Sequence, residues 1–292
     1  MLLKEIKNIF HKELDEVYPV EEVDTFFYIM LEHYLGLERF ILALEPNFIV
    51  SKEEEQPLFE GLSQLKLEKP IQYILGETEF MNLKFSVNEQ VLIPRPETEE
   101  LVRWVIDDCK VESFNTTQDR LNRNLKILDI GTGSGCIAIS LAKNLPNAKV
   151  YALDVSEEAL VVAKENAKHN EVEVNFIHAD ILELETLEEN FDIIVSNPPY
   201  VREMEKEEMQ TNVLEHEPQL ALFVSNEKPL LFYDKITHFA TRNLNHHGVV
   251  YFEVNQYLGK ETKQLLEDQN FSEIELRKDM FGNDRMLKGT LN

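Results

Sequence analysis

The chain has 292 residues, 43% hydrophobic and 28% charged, proportions of a folded protein with room for about two domains and unlike a disordered or fibrous chain. Its 54 Asp and Glu against 29 Lys and Arg give a formal charge of −25, a field that repels phosphate. That balance argues against direct nucleic-acid binding and for a protein partner with a basic surface. Cys109 and Cys136 are the only cysteines, so neither a disulfide framework nor a metal cluster is expected; with no signal-like or membrane-spanning run, the reading is a cytoplasmic chain free of membrane and metal.

Apolar Leu3, Ile6, Phe10, Leu14 and Val17 recur at helical spacing, predicting a helix over 3–17. A wider stripe from Val23 to Leu35 predicts a second helix over 20–37, closed by Gly36. Ser51 and Glu54 match a capping box ahead of Leu58, Leu62 and Leu65. A helical domain over 1–70 follows. Segments 71–75 and 83–87 read as strands of a β-hairpin linker spanning 71–95. Pro96 with Glu97, Glu99 and Glu100 starts a helix expected to end near 108, before a polar loop over 110–124.

From Leu125 strands and helices alternate: strands at 125–130, 149–154, 173–178, 191–196 and 248–254, helices at 136–144, 157–169, 231–244 and 258–268. The last pieces, 272–277 and 285–289, lie too close for a helical crossover and should pair antiparallel. The expected fold is α/β over 96–292.

Asp129-Ile130-Gly131-Thr132-Gly133-Ser134-Gly135 sits where a buried strand hands over to a helix. Glycine lets the backbone turn tightly and approach a ligand, and the helix start offers free N–H donors. The dinucleotide fingerprint requires a glycine where Cys136 stands, which disfavours a nicotinamide oxidoreductase. Asp154 closes the next strand, where a carboxylate accepts ribose hydroxyls, and Asp180 closes the third, beside an adenine edge or as a turn cap.

Phe191 to Ser196 is a buried strand ending in Asn197-Pro198-Pro199-Tyr200. The prolines fix φ and remove donors, so backbone carbonyls and the Asn197 side chain stand as rigid acceptors suited to an NH2 group. An amide nitrogen is a poor nucleophile. Acceptors aimed at its protons orient it and stabilise the positive charge that develops on alkylation. Tyr200 can stack on the planar group. These residues point to methyl transfer onto an amide or amino nitrogen, with Asn197, Pro198 and Tyr200 the reacting corner.

The segments Pro70 to Gly76, Val91 to Glu99, Asp129 to Gly135, Asn197 to Tyr200 and Phe281 to Arg285, in that order, resemble the HemK/PrmC family of release factor glutamine methyltransferases. The resemblance implies a small all-α N-terminal domain for substrate recognition, a hairpin linker and a Rossmann-like class I methyltransferase domain with a seven-stranded mixed sheet. It implies that S-adenosylmethionine binds at Asp129, Gly131, Thr132, Gly133, Ser134, Gly135, Asp154, Asp180 and Asn197. It further implies that Asn197, Pro198, Pro199, Tyr200, Arg95 and Glu97 hold the glutamine of a Gly-Gly-Gln motif in peptide chain release factors. The chain is expected to be a monomer. Two departures stand out: Met81-Asn82 replaces the family's usual aromatic-glycine pair, and Ile181-Leu182 stands where many members carry tryptophan. The competing readings are a glutamine methyltransferase acting on a ribosomal protein and an adenine-N6 DNA methyltransferase, the latter disfavoured by the charge.

Overall fold

The computed structural model describes residues 1–115 and 124–292. They fall into two compact units, Met1–Gly76 with Gln210–His216, and Glu77–Met209 with Glu217–Asn292.

The first unit is helical: α1 (Leu3–Leu14), α2 (Val20–Leu35), a short α3 (Ile41–Leu44), α4 (Lys52–Leu65) and α5 (Ile71–Leu75). Leu3, Ile6, Phe10 and Leu14 of α1 share one buried cluster with Val23, Phe27 and Met30 of α2 and Leu58, Leu62 and Leu65 of α4. Each such side chain contributes about 1.5–3 kcal/mol by leaving water. Helix α1 stops at Leu14, short of the expected 17, and α2 at Leu35, where Gly36 takes a left-handed φ of 63°. The capping box is present: Glu54 N–H donates to Ser51 Oγ at 3.3 Å and Ser51 N–H to Glu54 Oε2 at 2.9 Å.

Segment 71–75, expected as a strand, is the single-turn helix α5. Five apolar residues carry too little periodicity to separate strand from helix. Pro70 stands at the N-cap, its carbonyl accepting from Tyr73 and Ile74 N–H at 3.0 and 3.2 Å, Gly76 closes the turn with φ 74°, and packing against α2 and α4 decides the outcome.

The second unit opens with an antiparallel hairpin, β1 (Glu77–Phe80) and β2 (Leu83–Ser86). Its two turn residues, Met81 and Asn82, both sit left-handed, at φ 53° and 58°, as a turn matched to strand twist requires. Helix α6 (Pro96–Asn115) outruns its expected end, since no Gly or Pro interrupts 97–124. Of the expected polar loop, 116–123 lie outside the described residues.

Then come β3 (Lys126–Ile130), α7 (Cys136–Asn144), β4 (Lys149–Asp154), α8 (Glu157–His169), β5 (Asn175–His178) and β6 (Phe191–Ser196). After β6 the chain makes β7 (Val201–Arg202), a 3-10 turn at Glu203–Glu208, α9 (Thr211–His216) in the first unit, α10 (Gln219–Leu222) and β8 (Phe223–Val224). It ends with α11 (Leu231–Asn243), β9 (Leu244–Glu253), α12 (Gly259–Asp268), β10 (Phe271–Lys278) and β11 (Asp284–Leu291). Strand β9 begins four residues before the expected 248 because a register shift absorbs the polar Asn245 to His247, which read as a turn in sequence.

Seven strands form one sheet in the order β10-β11-β9-β6-β3-β4-β5. The strands from β9 to β5 run parallel, while β11 pairs antiparallel with both β9 and β10. Alternation along each strand divides the core. Ile127, Val150 and Ile193 join α6 and α7 on one face, and their neighbours Leu128, Tyr151 and Ile194 join α11 on the other.

Candidate active site

From β3 the chain winds outward to β4 and β5, then returns to β6 on the opposite flank of β3. Such a reversal opens a crevice at the carboxyl ends of the strands. Register fixes what reaches it. Ile130 pairs with both Leu153 and Ser196, so Gly131, Asp154 and Asn197, the next residue along each chain segment, stand side by side at the carboxyl edge. The Ser196 hydroxyl donates to Ile130 O at 2.7 Å and Gly131 N–H to Leu153 O at 2.8 Å, tying the three strand ends.

The three glycines of the loop all adopt positive φ, 75°, 54° and 83°. They differ in surroundings. A Cβ at Gly131 or Gly133 would meet nothing within 4 Å, whereas one at Gly135 would lie 2.8 Å from Ile139 Cδ1 and 3.2 Å from Ala163 Cβ. Gly135 therefore serves the packing of α7 on α8, and Gly131 and Gly133 leave open space.

Asp129 is fully buried at the end of β3. Its Oδ2 accepts from the Thr132 hydroxyl at 2.6 Å and Ala138 N–H at 3.2 Å, while Oδ1 has no partner among the described residues. Burial pushes the Asp129 carboxyl up to about 7 against those two bonds. Asp154 is also raised by burial, although Ser156 N–H and Gly133 N–H, at 3.0 and 2.8 Å, favour its charged form. Asp180 follows Ala179, whose N–H donates to Asp154 O at 3.1 Å, so it stands at the same edge. One of its oxygens is already engaged, accepting from Leu182 N–H at 2.8 Å as a turn cap.

At the β6 end Pro198 is buried and Asn197, Pro199 and Tyr200 are half-buried. Asn197 Nδ2 donates to Thr98 Oγ1 at 3.3 Å, and the Thr98 hydroxyl donates to Glu253 Oε2 at 2.6 Å. The Tyr200 hydroxyl donates to Glu253 Oε1 at 2.8 Å, and Asn255 Nδ2 to Tyr200 O at 3.0 Å. Arg285 Nη1 lies 3.4 Å from the Tyr200 hydroxyl, its guanidinium also held by buried Asp279 at 3.1 Å. Burial raises the carboxyl of Glu253, and Glu97, half-buried in the first turn of α6, raises it further.

Arg95, expected at the substrate, has a partner within the chain. Its guanidinium pairs at 2.5 Å with Glu217, whose side chain is 1% exposed and which also accepts from Ile93 N–H at 3.3 Å. The pair clasps the segment before α6 to the segment before α10.

Thr98, Glu217, Glu253, Asn255 and Arg285 thus join residues that the motifs marked. Thr98 and Arg285 lie inside two of the segments that carried the resemblance, and Glu253 carried a signal of its own: a lone acid within the apolar run 249–254, where a strand buried on both faces has no use for charge unless it is partnered.

A seven-stranded sheet of this order, with a glycine loop after its first strand and an acid after its second, defines a class I methyltransferase fold. A Thermus thermophilus 16S rRNA N2 G1207 methyltransferase, solved in complex with AdoMet and guanosine, shares it with a TM-score of 0.51 at 18% identity, over 74% of this chain and 50% of that one. Two family profiles match: the methyltransferase small domain over 112–222 and the PrmC N-terminal domain over 8–76. The release factor glutamine methyltransferase of Flavobacterium psychrophilum is 55% identical over 99% of both chains, and that of Bacteroides thetaiotaomicron 42% identical over 94% of this chain and 95% of its own. The chain belongs to the release factor glutamine methyltransferase family, the resemblance carried by its motifs. It is an S-adenosylmethionine-dependent methyltransferase.

Proposed function

We propose that this protein transfers a methyl group from S-adenosylmethionine to the side-chain amide nitrogen of the glutamine in the Gly-Gly-Gln motif of peptide chain release factors. The observation that carries the reading is the strand register that brings Gly131, Asp154 and Asn197 to one crevice, in a chain 55% identical end to end to a relative bearing that name.

The residues present fit the donor. Open space over Gly131 and Gly133, Asp129 Oδ1 left without a partner among the described residues, and the carboxylate of Asp154 suit a ligand with hydroxyls and an ammonium group. Thr132 and Gly135 shape the loop, and Asp180 lends its strand end to the adenine side. When bound, the donor supplies an electrophilic methyl group on a sulfonium. Asn197 Oδ1 and the carbonyls along Pro198 and Pro199 accept the two amide protons of the substrate and aim its nitrogen. The same acceptors strengthen as positive charge develops there. No dedicated base is required, since the methylated amide nitrogen becomes acidic and releases its proton to water. Tyr200 walls the planar amide.

Arg95 acts here through its clasp with Glu217 rather than as a free cation for substrate, and Glu97 adds negative charge to the corner. The helical unit, 1–70 in the sequence reading, serves recognition of the partner. We further read the chain as a cytoplasmic monomer; among the described residues no helix is long and apolar enough to cross a membrane.

Incubating the protein with methyl-labelled donor and release factor, ribosomal proteins or DNA tests the reading. Label on the glutamine of the release factor is the expected outcome, and Asn197→Ala should lower turnover at least about 100-fold with the fold intact. Label on a ribosomal protein or on DNA alone would overturn it.

A further inference from the structure

We propose that Glu253 is a positioning residue that sets, through Thr98, which end of the Asn197 amide faces the substrate. The inference rests on the function proposed above and deepens it.

The two ends of an Asn side chain are nearly the same size but opposite in hydrogen-bonding sense. With Oδ1 toward the substrate, Asn197 accepts an amide proton; turned over, it presents donors and repels the same group. Something must fix the choice. Glu253 is 1% exposed at the end of β9, and as a carboxylate it only accepts. Its Oε2 takes the one proton of the Thr98 hydroxyl at 2.6 Å, which leaves Thr98 Oγ1 with lone pairs alone. That oxygen therefore accepts from Asn197 Nδ2, at 3.3 Å, and refuses Oδ1. Direction runs from amide to hydroxyl to carboxylate.

The other carboxylate oxygen does the same for Tyr200, whose hydroxyl donates to Oε1 at 2.8 Å. One buried carboxylate thus orients both side chains that bracket the substrate nitrogen. The backbone holds it in turn: Tyr233 from α11 donates to Glu253 O at 3.2 Å. Charged and titratable groups face it from several elements, Glu97 from α6, Cys136 from α7, Tyr200 after β6, Tyr233 from α11 and Arg285 from β11. Arg285 favours the ionised form while burial and Glu97 oppose it. Protonated, Glu253 would donate to one hydroxyl and reverse it, so the arrangement works only above the titration of this group.

Four variants test this: Glu253→Gln, Thr98→Val, Thr98→Ser, and Glu253→Gln combined with Thr98→Val. At saturating donor and release factor, Glu253→Gln and Thr98→Val should each lower kcat about tenfold or more, with donor affinity by calorimetry within about twofold of the parent. Thr98→Ser should restore most of the rate, and the double variant should be no worse than the poorer single one. The acid limb of kcat in the parent should vanish in Glu253→Gln. A kcat within twofold of the parent in Thr98→Val and Glu253→Gln, multiplicative effects in the double variant, or donor affinity falling in parallel would overturn the proposal. A second readout does not depend on the substrate. The side-chain amide 15N resonances of Asn197, identified by their loss in Asn197→Ala, should move in Glu253→Gln and Thr98→Val and stay in Thr98→Ser. If the parent methylates no glutamine, the proposed function fails while these resonances still decide the network; unmoved resonances sink it.

Discussion

Replacing Gly133 and Gly135 by alanine separates a loop glycine that faces open space from one that is closely packed. Both sit left-handed, at φ 54° and 83°, so each alanine pays about 1–2 kcal/mol of backbone strain. Beyond that they part. The new methyl at 133 meets nothing within 4 Å, while at 135 it lies 2.8 Å from Ile139 Cδ1 and 3.2 Å from Ala163 Cβ on the neighbouring helix, an overpacking that adds about 1–3 kcal/mol. Gly133→Ala should therefore lose about 1–2 kcal/mol and Gly135→Ala about 2–5 kcal/mol in urea unfolding read at unchanged slope. Calorimetric titration with S-adenosylmethionine should invert the order of interest: Gly133→Ala, still folded, should bind at least about tenfold more weakly, near 1.4 kcal/mol, because its methyl fills the space the donor needs. Equal destabilisation by the two variants, or parental donor affinity in Gly133→Ala, would refute the reasoning.

Asp129, held near 7 by burial, is about nine-tenths protonated at pH 6 and nine-tenths ionised at pH 8, and a cationic donor favours the carboxylate. Donor affinity should then rise about tenfold from pH 6 to 8. Because its folded value lies above the unfolded one, this group's contribution to stability is present below about pH 4 and is lost as pH rises through 7, so the ligand-free protein should lose stability over that window. Asp129→Asn should flatten both profiles; an unchanged slope in the variant would exclude Asp129 as their source. For the clasp, Arg95→Ala strands the buried Glu217 carboxylate and should cost about 3 kcal/mol, discounted from the fully buried case because Arg95 is a third exposed, whereas Glu217→Ala frees an arginine that rehydrates and should cost about 1 kcal/mol. Urea midpoints read the difference, and the reverse order would count against the clasp.

The elements whose sequence spoke for itself were those with long, consistent patterns. The apolar stripes of α1, α2 and α4, the alternation from β3 to β6 and the glycine loop all needed only neighbours along the chain. So did the close spacing that makes β10 and β11 antiparallel. Short or interrupted patterns misled: 71–75 was decided as helix by its packing, and β9 ran through polar residues because a register shift absorbed them.

The motif residues that reach the crevice were legible because they stand at strand ends, and strand ends converge in a parallel sheet. Their partners were not. Thr98 lies 155 residues from Glu253, and Arg95 lies 122 from Glu217, so no spacing along the chain relates them. Sequence therefore determined the fold, the glycine loop and the Asn197 to Tyr200 corner at the end of β6, which are local in pattern. Only the tertiary structure decided that Arg95 is already paired and that Glu253 is partnered by Thr98 and Tyr200. A hydrogen bond is made between positions in space, and the sheet sets those positions.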